Sequence, residues 1–196
     1  MSIILSVRRD QVMKDKVKLM LCYIRILFIL WGVDWSDKKI RKDLERWKCI
    51  YNLKMRDWQA LAWLMCFKPE FRNLLIYRNS NRFFFKKWIK LFYRPMNTLF
   101  IETREIGGGL FIQHGFSTMI AAKSIGEDCW INQQVTIGYK DSTLAPEIGN
   151  HVMITCGAKV LGNIKVGDDS IIGANAVVVK NVENGAVMVG VPAKRI

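Results

Sequence analysis

From Ile106 to Val178 aliphatic residues return at six-residue steps, with polar and small residues between them. Ile148, Ile154, Val160, Val166, Ile172 and Val178 are each six apart. Many aliphatics are followed by glycine, as in Ile106-Gly107, Ile125-Gly126 and Val166-Gly167. Neither period-two strands nor 3.6-residue helices keep a six-residue clock. A short straight strand ending in a turn does: the aliphatic side chain points inward, and a small residue at the fifth position lets the corner close. Fifth positions include Cys129, Val135, Val152, Ala158, Ser170 and Ala176. Three hexads make one triangular coil of about 18 residues. Stacked coils share an apolar core and need a cap at each end. The pattern therefore predicts a mainly β second half, a parallel β-helix over 99–196, with a C-terminal cap from about residue 187. Two breaks stand out. Ile112 to Ile125 is thirteen residues, one more than two hexads. Ile137 to Ile148 is eleven, five more than one hexad, so residues 139–147 are expected to leave the coil as a loop.

The first half follows another rhythm. Between residues 10 and 94 the only glycine is Gly32 and the only proline is Pro69. Trp47, Ile50, Tyr51, Trp58, Leu61, Ala62 and Met65 recur at roughly helical spacing. We expect three to five helices in an α-helical basic domain over 1–98, with breaks near 32–37, 68–70 and 77–81. Residues 17–33 are apolar but carry Lys18 and Arg25, and the run is too short for the ~20 apolar residues of a span. No small-residue cleavage site follows. A buried or interfacial helix is expected there.

Charge separates the halves further. Residues 1–100 hold 22 Lys and Arg against 8 Asp and Glu; residues 101–196 hold 8 against 9. In FFFKKWIKLFYR, residues 83–94, aromatics alternate with bases. The first reading is aromatic core with a solvated lysine rim, and the alternative is contact with a membrane surface. No nucleic-acid motif is visible, and no nucleic-acid partner is expected. The five cysteines are odd in number and widely spaced, which suits reduced thiols in a cytoplasmic protein, if need be at the inner face of the membrane. With two histidines and no Cys-x-x-Cys, no metal site is expected.

The words IGGGLFIQH at 106–114, QQVTIG at 133–138, ITCGAKVLGNIKVG at 154–167 and GVPAKRI at 190–196 stand in order. In them the second half resembles the left-handed β-helix, hexapeptide-repeat acyltransferases, most closely their serine acetyltransferase branch. The resemblance implies acetyl-CoA as donor, a hydroxyl as acceptor, and a trimer with active sites between neighbouring coils. Pairing of trimers through the helical half is a further expectation. His114 falls where the family places its general base. Gly138, Tyr139, Gly157, Ala158, Lys159, Pro192 and Lys194 fall on donor-binding stretches. The family's histidine-orienting aspartate corresponds to Leu99, and its second histidine to Ala145. Both belong to the serine site, which turns the expectation towards a sugar hydroxyl of a surface polysaccharide. Serine O-acetylation and a catalytically weak membrane-surface assembly protein are the alternatives.

An alcohol needs a base to attack a thioester, and imidazole is suited to that near neutral pH. His114 is that base in this reading, with direct transfer in a ternary complex. Glu102 and Glu105 are candidates to orient it. Gln133, one coil above, either positions a substrate or is one rung of a stabilising ladder. His151 is read as a surface residue.

Overall fold

The computed structural model describes residues 2–140 and 144–196; for residues 2–12, 18, 24 and 28 it describes the backbone alone. Five helices come first: α1 (Ser2–Gly32), α2 (Lys38–Ile50), α3 (Asp57–Phe67), α4 (Pro69–Arg78) and α5 (Phe83–Phe92). Three of the four breaks fall where glycine, proline or polar residues mark them. The break between α2 and α3 does not, and the apolar spacing from Trp47 to Met65 runs straight across it. There Asn52 takes a left-handed φ of 50° and turns the chain.

The second half is a triangular left-handed parallel β-helix. Its first coil is β1 (Leu99–Ile101), β2 (Glu105–Ile106) and β3 (Phe111–Ile112). The second is β4 (Thr118–Ile120), β5 (Ser124–Ile125) and β6 (Trp130–Ile131). The third is β7 (Thr136–Gly138), β8 (Glu147–Ile148) and β9 (Met153–Ile154). The fourth is β10 (Lys159–Leu161), β11 (Lys165–Val166) and β12 (Ile171–Ile172). Then β13 (Val177–Val178) and β14 (Val187–Val189) begin a last coil, and β15 (Lys194–Arg195) folds back antiparallel on β14. Three sheets result, ordered β1-β4-β7-β10-β13, β2-β5-β8-β11 and β3-β6-β9-β12-β14-β15.

The register explains the six-residue clock. Ile101, Ile120, Ile137, Val160 and Val178 stack in the first sheet. Ile106, Ile125, Ile148 and Val166 stack in the second. Ile112, Ile131, Ile154 and Ile172 stack in the third. The fifth positions Cys129, Val135, Val152, Ala158, Ser170 and Ala176 are all buried, as closing corners require. Both irregularities are absorbed at corners. The turn between β3 and β4 carries two residues more than a hexad and the turn between β4 and β5 one fewer, which nets the single extra residue; the five extra residues lie between β7 and β8.

The helical half seals the first coil. Trp47 sits against Phe71 and Phe111, with ring centroids 5.1 and 4.6 Å apart, and its indole N–H donates to the Leu110 carbonyl at 2.8 Å. Beside this packing lies a buried ion pair. Arg78 Nε reaches Asp43 at 2.8 Å, and the rest of its guanidinium donates to the carbonyls of Ile106 and Gly107. Asp43 also accepts from the N–H groups of Gly109 and Leu110. Burial raises the Asp43 carboxyl above the ordinary carboxylate range, against the pull of Arg78 and those two donors. Lys42 and Arg46 extend the clamp to Asp128 at 2.7 and 3.1 Å.

Candidate active site

One edge of the prism collects most of the residues singled out by sequence. It is the corner where the third sheet gives way to the first. On successive coils it carries His114, then Gln133 and Gln134, then Cys156 and Gly157, then Asn175. The backbone there turns left-handed again and again: φ is 53° at Ser117, 61° at Gln134, 72° at Gly157 and 57° at Asn175. Hydrogen bonds tie each rung to the next, from Gln134 N to Phe116 O, Gly157 N to Gln133 O, and Asn175 N to Cys156 O. At the top the segment 190–193 crosses the same edge, where Val177 N donates to Gly190 O and Ala193 N to Val177 O. Pro192 thus shares an edge with His114, roughly four strand spacings away, or ~19 Å.

His114 stands out on this edge. The two extra residues of the β3–β4 turn let it bulge, with φ 60° and an exposed side chain. Above it, the side-chain oxygens of Asn132 and Gln133 are buried and have no hydrogen-bond partner among the described residues. A buried acceptor left unpaired costs about 1–3 kcal/mol. Two such atoms together mark a place where a ligand N–H or O–H would be welcome. Lys159, on the outer side of β10, reaches back to donate to Gln134 O at 2.7 Å. Ala158 differs from its neighbours in the motif. Its side chain is fully buried and its carbonyl accepts from Thr136 N, so it is part of the wall.

Gly138 and Tyr139 lie at the next corner, across the first sheet from His114. A Cβ built on Gly138 would meet nothing within 4 Å, so the strand end has room beside it. Tyr139 is exposed and begins the loop; residues 141–143 of that loop lie outside the described residues. Ala145 is buried at the end of the loop, and the adjoining Pro146 carbonyl accepts from Lys123 N. Lys194 is exposed on β15.

The two glutamates are not brought to His114 within one chain. Glu102 is in the β1–β2 turn and Glu105 on the outer side of β2, at another corner of the prism. Leu99 is 4% exposed and pairs with Thr118 on β4. His151 lies on a different edge, exposed, with Nδ1 3.1 Å from Asp169. The Cys129 thiol is pushed up to about 11 by burial, far from a ready nucleophile. Sequence counting missed Asn132, because its significance rests on an unpaired atom that only packing reveals. Among the described residues no group of three or more His, Cys, Asp and Glu is placed to hold a metal ion.

Comparison with known proteins agrees with the fold of the second half. The profile described as "Bacterial transferase hexapeptide (six repeats)" matches residues 145–180. A serine acetyltransferase of Helicobacter pylori is 46% identical over 96 residues, which is 47% of this chain and 56% of that protein. The chain thus spans little more than half of that relative's length. A crystal structure of Neisseria gonorrhoeae serine acetyltransferase superposes with a TM-score of 0.60 at 26% identity, covering 81% of this chain and 66% of that one. A serine acetyltransferase in complex with CoA gives a TM-score of 0.59 at 25% identity, covering 80% and 68%. The second half is a hexapeptide-repeat solenoid, similar in sequence and fold to serine acetyltransferases. These relatives are named for serine and not for a polysaccharide, which favours the serine alternative over the expected polysaccharide branch.

Proposed function

We propose that this chain is an acetyl-CoA-dependent O-acetyltransferase that uses His114 as general base and serine as acceptor. The observation that carries this reading is the edge that joins exposed His114, the unpaired Gln133 oxygen and the Gly190–Ala193 crossing in one line. An elongated donor suits such an edge better than a compact pocket does. The two orphan oxygens accept amide or amine N–H groups, Lys159 and Lys194 supply positive charge for phosphates, and Gly157 lets the Asn175 side chain lie close against the rim. Bound acetyl-CoA would supply the activated acetyl group. His114 takes the proton of the attacking hydroxyl, a contribution of roughly 10²–10⁴-fold for a positioned base. The chain would work as a trimer, in which a neighbouring coil closes the open side of the edge and brings the group that orients His114.

The serine acceptor is supported by the names of the relatives. A sugar hydroxyl is the second reading, and one observation favours it: Leu99 and Ala145, both buried and apolar, stand where the resemblance implies a carboxylate and an imidazole. The deciding experiment is coenzyme A release from acetyl-CoA with L-serine, beside a panel of nucleotide sugars and oligosaccharides. Release with serine is expected, and His114→Ala should lower it about 100-fold or more while circular dichroism stays unchanged. Release with a sugar but not with serine would transfer the assignment to the second reading. An unchanged rate in His114→Ala would remove the base.

A further inference from the structure

The aromatic run of residues 83–94 divides: Phe85, Phe92 and Tyr93 pack with the core, as its pattern first suggests, while Phe83, Phe84 and Trp88 face outward. Phe84, Trp88 and Leu91 are 78, 48 and 73% exposed, and their i, i+4, i+7 spacing lines one face of α5. The adjoining row is Lys87, Lys90 and Arg94, all exposed. Lys87 Nζ lies 4.5 Å from the centre of the Phe83 ring. Ile89, fully buried, anchors the opposite side.

Helix α1 ends at the same place. Leu27 and Trp31 are 63 and 93% exposed. Gly32 lets the two helices meet, since a Cβ there would come within 2.2 Å of the Phe85 ring. Arg82 locks the junction through a 2.5 Å hydrogen bond to the Gly32 carbonyl. Trp31, Phe83, Phe84 and Trp88 line an open hollow of about 740 Å³. An apolar patch of this kind on a folded surface marks an interaction site.

Charge selects the occupant. No Asp or Glu occurs between Glu70 and Glu102, a stretch with seven Lys and Arg. Arg72 and Arg78 are committed to backbone carbonyls and to Asp43. The other five are Arg82, which also holds the Gly32 carbonyl, and Lys86, Lys87, Lys90 and Arg94, on or beside α5. A second copy of this face would set cations against cations. An anionic bilayer answers both features, with an apolar boundary for the rings and negative headgroups for the lysines.

We propose that α5 and the C-terminal end of α1 dock the protein on the surface of an anionic lipid bilayer. The attachment is peripheral: among the described residues no helix is long and apolar enough to cross a membrane.

Cosedimentation of the whole chain with phosphatidylcholine vesicles and with phosphatidylglycerol-rich vesicles tests this. Binding to the anionic vesicles at low salt, weak binding to the neutral ones and release at high salt are expected. Phe84→Ser with Leu91→Ser should weaken binding tenfold or more. Lys87→Glu with Lys90→Glu should weaken it at least about fivefold per cation lost. All four positions are exposed, and circular dichroism checks that the variants fold. No binding at any salt, equal binding to both vesicle types, or variants that bind like the parent would each overturn the proposal. So would light scattering that shows Phe84→Ser/Leu91→Ser separating self-associated copies while vesicle binding stays intact. The assay uses no acetyl-CoA, so its outcome is separate from that of the acetyltransferase reading.

Discussion

In the coil, inward positions repeat from one turn to the next: Ile112, Ile131, Ile154 and Ile172 are four rungs of one column. The helical half has no equivalent positions. Trp47 meets Phe71 and Phe111 once, and Asp43 meets Arg78 once. Repetition spreads the energy of the coil over many similar contacts. The helical half instead concentrates its hold on the coil in a few unlike ones, so single changes should act very differently in the two regions.

The largest effect is expected at the ion pair. Asp43→Ala strands the Arg78 guanidinium and two backbone N–H groups in a buried place, at a cost of about 3–5 kcal/mol. Urea unfolding followed by circular dichroism would measure it. Replacing both partners, as in Asp43→Leu with Arg78→Met, should recover much of the loss. A double variant as unstable as Asp43→Ala would mean that the backbone donors, not the charge, dominate. In the coil, Ile154→Val removes one methylene from one rung and should cost about 1 kcal/mol. A cost near that of Asp43→Ala would refute the contrast between repeated and singular contacts.

The smallest effect belongs to the outer side of the second sheet. Lys123 holds the Glu147 carboxyl below its ordinary range, mainly through their hydrogen bond. A depressed folded-state value means that the stabilisation is present at neutral pH and is lost as pH falls through that value. Melting curves of the parent and Lys123→Ala should differ slightly at neutral pH and converge in acid. Both groups are well solvated, so a large gap at neutral pH would contradict this view of the pair.

The same contrast decides what could be read in advance. The inner columns demand an aliphatic residue at each hexad, so the coil and its long loop between β7 and β8 are written along the chain. The long β3–β4 turn and the short β4–β5 turn show in sequence only as one net extra residue. The candidate edge was legible for the same reason, since counting hexads stacks Gln133 over His114. Glu102 and Glu105 looked near His114 in sequence, but a triangular path carries them to another corner. In the helical half, the turn at Asn52 has neither Gly nor Pro to announce it. The Asp43–Arg78 pair joins residues 35 positions apart, a distance no local pattern spans. In the α5 segment, spacing fixes which residues share a face, but not whether that face meets protein or the outside. Only the packing of Ile89 inward and Phe84 outward separates the two.

The loop between β7 and β8 has a wider meaning. Its five extra residues leave the pairing of Ile125 with Ile148, and of Ile120 with Ile137, in step. A corner of this prism can therefore lengthen or shorten without retuning the scaffold below it. Evolution, or a protein engineer, can exchange loops at that corner as interchangeable heads on a fixed shaft, changing what the molecule accepts while its folding problem stays the same.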